Sequence, residues 1–348
     1  PTPPGQVTPS GPSNPQATTQ AVADSRSWRM GFSRVPPTAT LASMLEGLNL
    51  MRGRAEFVVM QEHVAWGELL AGVAPAALVE RDLAPLADHI RGLGLEVVML
   101  LELTDGMARG QEPAALLATG RSLTEPGVQQ AYAAYAAAVS QRIRPASLGL
   151  ATETNAVRLL AAPALYQAVV QAAGAAAAAV RAVDPARELM VSAQVEVAWG
   201  LMPGQSAYQG LSRDLADFAF AQVIGLSSYP FYGHAVPEDI PADYYSRLLS
   251  GSARPAMVVE GGWPSTGREG LVTSASMQSR YLERHAGLLD SVSARGVAQL
   301  LLADLDLSAS TPEVAAAMAL FSSMGVMDSR FQQKPAAGII FFLQAIEK

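Results

Sequence analysis

Two apolar runs in this chain stop on a carboxylic acid. Ser147, Leu148, Gly149, Leu150 and Ala151 lead through Thr152 to Glu153, and Ala256, Met257, Val258 and Val259 lead to Glu260. If both runs are strands of one sheet closed on itself, the two acids project into the same mouth. A carboxyl pair so placed suits cleavage of a glycosidic bond: one acid protonates the departing oxygen while the other carboxylate attacks the anomeric carbon or activates water. A separation of about 5 to 5.5 Å gives the covalent, retaining route, and a longer one the inverting route. The roles need different surroundings, since the attacking carboxylate has to stay ionised and the acid has to hold its proton, through burial or a neighbouring negative charge. The other employment open to each glutamate is to pair with an arginine or to cap the next helix.

Elements that bring such ends together can be read along the chain. Short apolar, β-branched runs at 28–35, 55–62, 96–103, 146–152, 188–194, 222–228, 255–260 and 296–304 alternate with segments of helical period at 41–51, 76–93, 126–143, 163–183, 212–218, 242–249, 274–293 and 312–324. A final helix is expected over 334–346. Strands separated by crossover helices pair in parallel, because a parallel neighbour needs a long return connection. Eight such units predict an α/β fold, a single (β/α)8 TIM barrel over 26–348, with reactive groups at the C-terminal strand ends. An open doubly wound sheet normally stops at five or six strands and often starts with a glycine-rich phosphate turn. Here the first strand runs into Ser33, Arg34, Val35, Pro36 and Pro37, and no such turn follows any strand.

Composition narrows the chemistry. The 348 residues contain no Cys, which excludes disulfides, thiolate metal sites and a cysteine nucleophile, and the net charge of -7 gives no electrostatic reason to bind nucleic acid. No HxH or HExxH spacing supports a metal, no nucleotide-binding turn supports a nucleotide cofactor, and no GxSxG elbow supports a serine nucleophile. The expectation is catalysis by carboxylates with no cofactor. Residues 1–25 are rich in Pro, Thr, Ser, Gln and Gly, a composition that cannot bury enough apolar surface to order itself. They read as a disordered linker, and the protein as secreted or tethered at the cell surface, touching a membrane only through an anchor preceding Pro1.

At this point the sequence resembles a family. The order of Leu148-Gly-Leu-Ala-Thr152-Glu153-Thr-Asn155, Val223-Ile-Gly-Leu-Ser-Ser-Tyr229-Pro230-Phe231-Tyr232 and Val258-Val-Glu260-Gly-Gly-Trp263-Pro264, closed by Gly325-Val-Met-Asp328 and Lys334-Pro335-Ala336, resembles the clan A glycoside hydrolases. The local text is nearest to the arabinogalactan endo-β-1,4-galactanases. The resemblance implies Glu153 as acid/base, Glu260 as nucleophile and Tyr229 as the residue that hydrogen-bonds the nucleophile and orients it. Two departures stand out: Thr152 occupies the place of the family's asparagine, and strand two ends on Gln61, Glu62 and His63 without the usual arginine. Gln61 or His63 is the expected replacement donor, and Arg34 the expected positive charge beside Glu260.

Sugar rings pack their C–H faces on aromatic planes while their hydroxyls reach polar neighbours. Trp66, Trp199, Tyr229, Tyr232 and Trp263 follow strands two, five, six and seven, with Trp199 and Trp263 the preferred stacking platforms. Glu102, Gln194 and Asp304 at the ends of strands three, five and eight are candidate hydroxyl binders, as are Thr152 and Asn155 beside the acid/base. The alternatives to a retaining hydrolase are a non-catalytic carbohydrate-binding barrel and a transglycosylase.

Overall fold

A run such as Phe57, Val58, Val59 and Met60 is apolar on both sides of the pleat, so a strand built from it has to be covered on both faces. The computed structural model, which describes residues 26–268, 270–292 and 294–345, meets that demand with a closed parallel barrel of eight strands in chain order. The strands are β1 (Arg29–Ser33), β2 (Phe57–His63), β3 (Glu96–Glu102), β4 (Ser147–Gly149), β5 (Glu188–Gln194), β6 (Val223–Ser228), β7 (Ala256–Gly261) and β8 (Gly296–Gln299). β1 closes the ring by pairing with β8, Met30 opposite Val297. The expected linker at 1–25 lies outside the described residues.

Alternation along each strand divides the buried side chains into two sets. Phe57, Val59, Val98, Leu100, Met190, Val223, Met257, Val259 and Ala298 fill the barrel. Val58, Met60, Val97, Met99, Leu101 and Val258 belong to the larger cluster under the helices. Large interior side chains need small ones opposite. A Cβ on Gly31 would stand 2.5 Å from the Phe57 ring, and one on Gly149 2.4 Å from Leu100. Gly31→Ala is therefore expected to cost about 1 to 3 kcal/mol through overpacking, seen as a lower denaturant midpoint with an unchanged slope. A variant as stable as the parent would show that the barrel interior has slack at Phe57.

Several elements differ from the sequence expectation, each for a local reason. The helix expected at 76–93 is two, Pro75–Asp82 and Ala84–Gly92, because Pro85 has no N–H for the turn before it. The segment 242–249 forms a run of mixed turns instead of a helix, with Tyr244 and Tyr245 fully buried beneath it. β8 stops at Gln299, and the following chain bridges Ala303 to Met327 instead of extending the strand. The helix Ala275–Asp290 starts at Ser274, whose hydroxyl accepts from Met277 N–H at 3.2 Å. The last helix is Pro335–Ala345, and Ser293 and Ile346 lie outside the described residues. The Ala-rich helix Pro163–Val183 is long and apolar enough to cross a membrane by length and composition. Its Leu165, Val169, Ala172, Ala173, Ala176 and Val180 are buried, and it packs on the helix Pro126–Ile143.

Candidate active site

The strand ends surround a cavity of about 750 Å³, into which Glu153 and Glu260 both face together with Gln61, Arg109, Gln194, Tyr229 and Tyr232. β4 keeps only three paired residues, and the chain then turns sharply. Glu153 has φ 45° and ψ 48°, the left-handed region that costs a non-glycine residue about 1 to 3 kcal/mol. The turn is held on both sides: Glu153 N–H donates to Ser192 Oγ at 2.9 Å, while its carbonyl accepts from Ala156 and Val157 as the helix Thr154–Leu160 begins. Glu260 is aimed by a register shift between β6 and β7, after which it pairs with Ser227. Irregularities of this kind re-aim a side chain at a sheet's rim.

A third acid and one arginine complete the electrostatics. Arg109 comes from the loop after β3 and is 7% exposed. Its Nε donates to Glu153 Oε2 at 2.7 Å and its Nη1 to Glu102 Oε1 at 2.8 Å. Glu102 also accepts from Gln61 Nε2 at 2.7 Å and meets His63 Nδ1 at 2.9 Å. Burial alone would raise the Glu102 pKa, but His63 and Arg109 hold it at about 2. The hydrogen bond to Glu102 raises that of His63 in return. Glu260 goes the other way: desolvation first, then the neighbouring Glu153 charge, push it up to about 7 against the pull of Arg109. The attacking carboxylate was expected to have the better-compensated surroundings, yet of Glu153 and Glu260 it is Glu153 that pairs directly with Arg109.

Other expected site residues divide. Gln61, Gln194, Tyr229 and Tyr232 line the cavity. Tyr229 is buried beside both acids, and desolvation, then the Glu260 and Glu153 charges, raise its phenol well above 10. Its backbone N–H donates to Glu196 Oε1 at 2.8 Å. Glu102 binds Arg109, Gln61 and His63, a framework duty in place of a hydroxyl-binding one. The His63 side chain stands on that framework, 72% exposed.

Arg34 does not stand as the charge beside Glu260. It forks onto Glu62 at 2.8 and 2.9 Å, because Glu62 lies near the end of the neighbouring strand and needs a partner where it is half-buried. Trp263 is not a stacking platform: it is 1% exposed, Phe231 and Tyr281 pack on it, and its Nε1 donates to Thr273. Trp199 has its faces taken by Tyr244, stacked at 5.4 Å, and by the Arg247 guanidinium at 4.9 Å. Trp66 lies in the core against Tyr132.

Asn155 is fully buried and brackets Gln194, accepting from its N–H and donating to its carbonyl, both at 2.8 Å. It therefore positions a cavity residue without touching the cavity. Asp304 accepts from Lys334 Nζ at 2.8 Å, since the chain beyond β8 pairs with the return segment. The Thr152 hydroxyl is buried without a hydrogen-bond partner.

Sequence reasoning missed Arg109, Glu196 and the apolar wall of Leu160, Leu300, Met318 and Phe321. Glu196 is fully buried behind Tyr229, with Oε1 accepting from Tyr229 N–H and from Tyr244 Oη at 2.7 Å while Oε2 has no partner. Desolvation pushes it up to about 7. A Glu two residues after a strand end was a visible signal for it. Arg109 had no such signal, standing in a polar loop among glycines.

No family model matches the chain, and no curated protein matches it. Solved structures do. An exo-β-1,4-mannosidase from Opitutaceae bacterium strain TAV5 superposes with TM-score 0.67 at 17% identity, over 91% of this chain and 59% of that one, so this chain spans about three fifths of that protein. A GH5_18 protein from Streptomyces cattleya bound to Manb1-4GlcNAc gives 0.65 at 17%, over 91% and 80%. The GH53 catalytic domain from Ignisphaera aggregans gives 0.58 at 13%, over 92% of each chain. At these identities the likeness establishes the barrel fold.

Proposed function

We propose that this protein is a retaining glycoside hydrolase acting on a poly- or oligosaccharide, with Glu153 as acid/base and Glu260 as nucleophile. The observation that carries this reading is that both acids face one cavity at the C-terminal mouth, one just beyond β4 and one in β7, three strands apart around the ring. The fold likeness to a mannosidase and to a GH53 catalytic domain supports it. In the first half-reaction Glu260 attacks the anomeric carbon as Glu153 hands its proton to the departing oxygen. In the second, Glu153 takes a proton from water, which displaces Glu260. Gln194, whose backbone is held by the Asn155 bracket and which lines the cavity, is the residue assigned to bind a sugar hydroxyl near the acid/base.

Glu153→Gln tests the reading, assayed on a panel of polysaccharides and on aryl glycosides of differing leaving group. Loss of the acid is expected to lower kcat/KM by about 10² to 10⁴-fold for a poor leaving group, and by far less for 2,4-dinitrophenolate, which leaves without a proton. Equal losses on both would sink the acid/base role. A second reading, a non-catalytic carbohydrate-binding barrel, draws on Thr152, which brings no amide to the place beside Glu153 and whose hydroxyl is spent on nothing. It predicts glycan binding by the parent protein with no turnover of any member of the panel.

A further inference from the structure

Arg109 is built into the site by its loop. Asp105 Oδ1 accepts from Met107 N–H and Ala108 N–H, both at 2.9 Å, and Asp105 N–H donates to Gln111 O at 3.0 Å, which closes the loop at its base. Two glycines let it settle onto the strand ends. A Cβ on Gly106 would stand 2.9 Å from Glu102 Oε2, and one on Gly110 2.7 Å from the Leu160 carbonyl. The guanidinium thus reaches the cavity floor in one orientation, with Glu102 bracing it from below. A planar guanidinium held on Glu102 presents its Nε–H to Glu153 in a fixed direction.

The charged groups around it can be named element by element. Glu102 from β3 and Glu153 after β4 bond it directly, and Glu260 from β7 feels it across the cavity. His63 and Gln61 from β2 act on it through Glu102. Arg34 after β1 is committed to Glu62, and Glu196 after β5 sits behind Tyr229 of the β6 end. Among the described residues that line the cavity, Arg109 carries the formal positive charge and two glutamates the negative.

We propose that Arg109 is a positioning residue of the carboxyl pair, fixing Glu153 through the ion pair and supplying the positive charge that faces Glu260. The role rests on the reading of Glu153 and Glu260 as acid/base and nucleophile. The Arg109 Nε–H holds Glu153 by Oε2, which leaves the other oxygen to carry the proton for the leaving group, and through space the guanidinium acts on the attacking carboxylate.

Arg109→Gln and Arg109→Lys separate the two effects. The Glu260 carboxyl is followed by ¹³C NMR of protein labelled at glutamate Cδ, with its resonance identified by its loss in Glu260→Gln. In R109Q its titration midpoint is expected to rise from about 7 by about 1 unit, and in R109K to stay, since the charge remains.

With aryl glycosides, both variants are expected to lose about 10²-fold in kcat/KM for a phenolate leaving group and less than about 10-fold for 2,4-dinitrophenolate. The ammonium's donors all radiate from one nitrogen on a flexible stem and lack the fixed plane of the guanidinium, which is why R109K shares this loss. A uniform loss across leaving groups, or an unmoved Glu260 midpoint in R109Q, overturns the proposal. If the parent turns over no glycoside, the proposed function fails by itself, and the NMR titration decides on Arg109. If R109Q does not fold, the leaving-group pattern of R109K decides.

Discussion

Glu260→Gln is expected to reduce glycoside turnover by on the order of 10⁴-fold or more, the scale on which loss of a covalent nucleophile acts. The amide keeps the shape of the carboxyl but cannot form the glycosyl ester, so leaving-group ability does not restore the rate. That separates it from Glu153→Gln. A cavity-forming variant makes the roles sharper still. In Glu260→Ala, added azide can enter the vacated space, attack the anomeric carbon as the aryl oxide leaves, and yield a glycosyl azide of inverted configuration. In Glu153→Ala the enzyme nucleophile is intact, and azide attacks the glycosyl-enzyme to give the retained anomer. Product stereochemistry by NMR distinguishes them, and a retained azide from Glu260→Ala would exchange the two assignments. The pH profile follows from the same group. Desolvation and the Glu153 charge push Glu260 up to about 7, so above that pH both carboxylates are ionised and, under the proposed roles, none is left to protonate the leaving oxygen: kcat/KM for a poor leaving group is expected to fall as pH rises through that region.

Stability is expected to fall as pH rises from about 4.5 to 7, and Glu196 is a main cause. Its folded pKa of about 7 lies above the ordinary 4.5, so the folded state binds the proton more tightly than the unfolded chain. The contribution is therefore complete below the unfolded value and is lost as pH climbs through the folded one. A displacement of this size corresponds to about 3 kcal/mol.

Glu196→Gln keeps an oxygen to accept from Tyr229 N–H and Tyr244 Oη but has nothing to titrate. Chemical denaturation at pH 5 and pH 8 is expected to show a clearly smaller pH difference for the variant than for the parent, with the other carboxyls that burial raises, Glu260 among them, contributing what remains. Equal pH differences in the two proteins would remove Glu196 as a cause. Glu196→Ala, by contrast, leaves two buried donors unpaired and is expected to destabilise at both pH values by about 2 to 4 kcal/mol.

How far the sequence reached can be judged residue by residue. Glu153 and Glu260 stood out because an apolar strand ending on an acid is visible in a dozen residues. Tyr229, Tyr232, Gln61 and Gln194 were found by the same logic of strand ends, and they line the cavity. The logic failed where a strand end was paired to something else. Asp304 meets Lys334 because β8 stops early, Arg34 meets Glu62 on the next strand, and Asn155 turns back to clamp Gln194. Trp263 follows a strand as a platform would, but the helix Ala275–Asp290 lays Tyr281 against it.

Periodicity alone thus determined the eightfold strand-helix alternation, the closed parallel barrel it requires and the two acids at its mouth. These are consequences of which residues must leave water, and burial is written into local pattern. Tertiary structure decided which polar groups face the cavity and which face each other. Arg109 and Glu153 are 44 residues apart in the chain and 2.7 Å apart in space. Their pairing depends on how one loop folds down over the closed ring, through glycines whose neighbours come from other strands and another helix. Long-range electrostatics of that kind has no period to read, so the charge balance of the carboxyl pair, unlike its existence, emerged only from the fold.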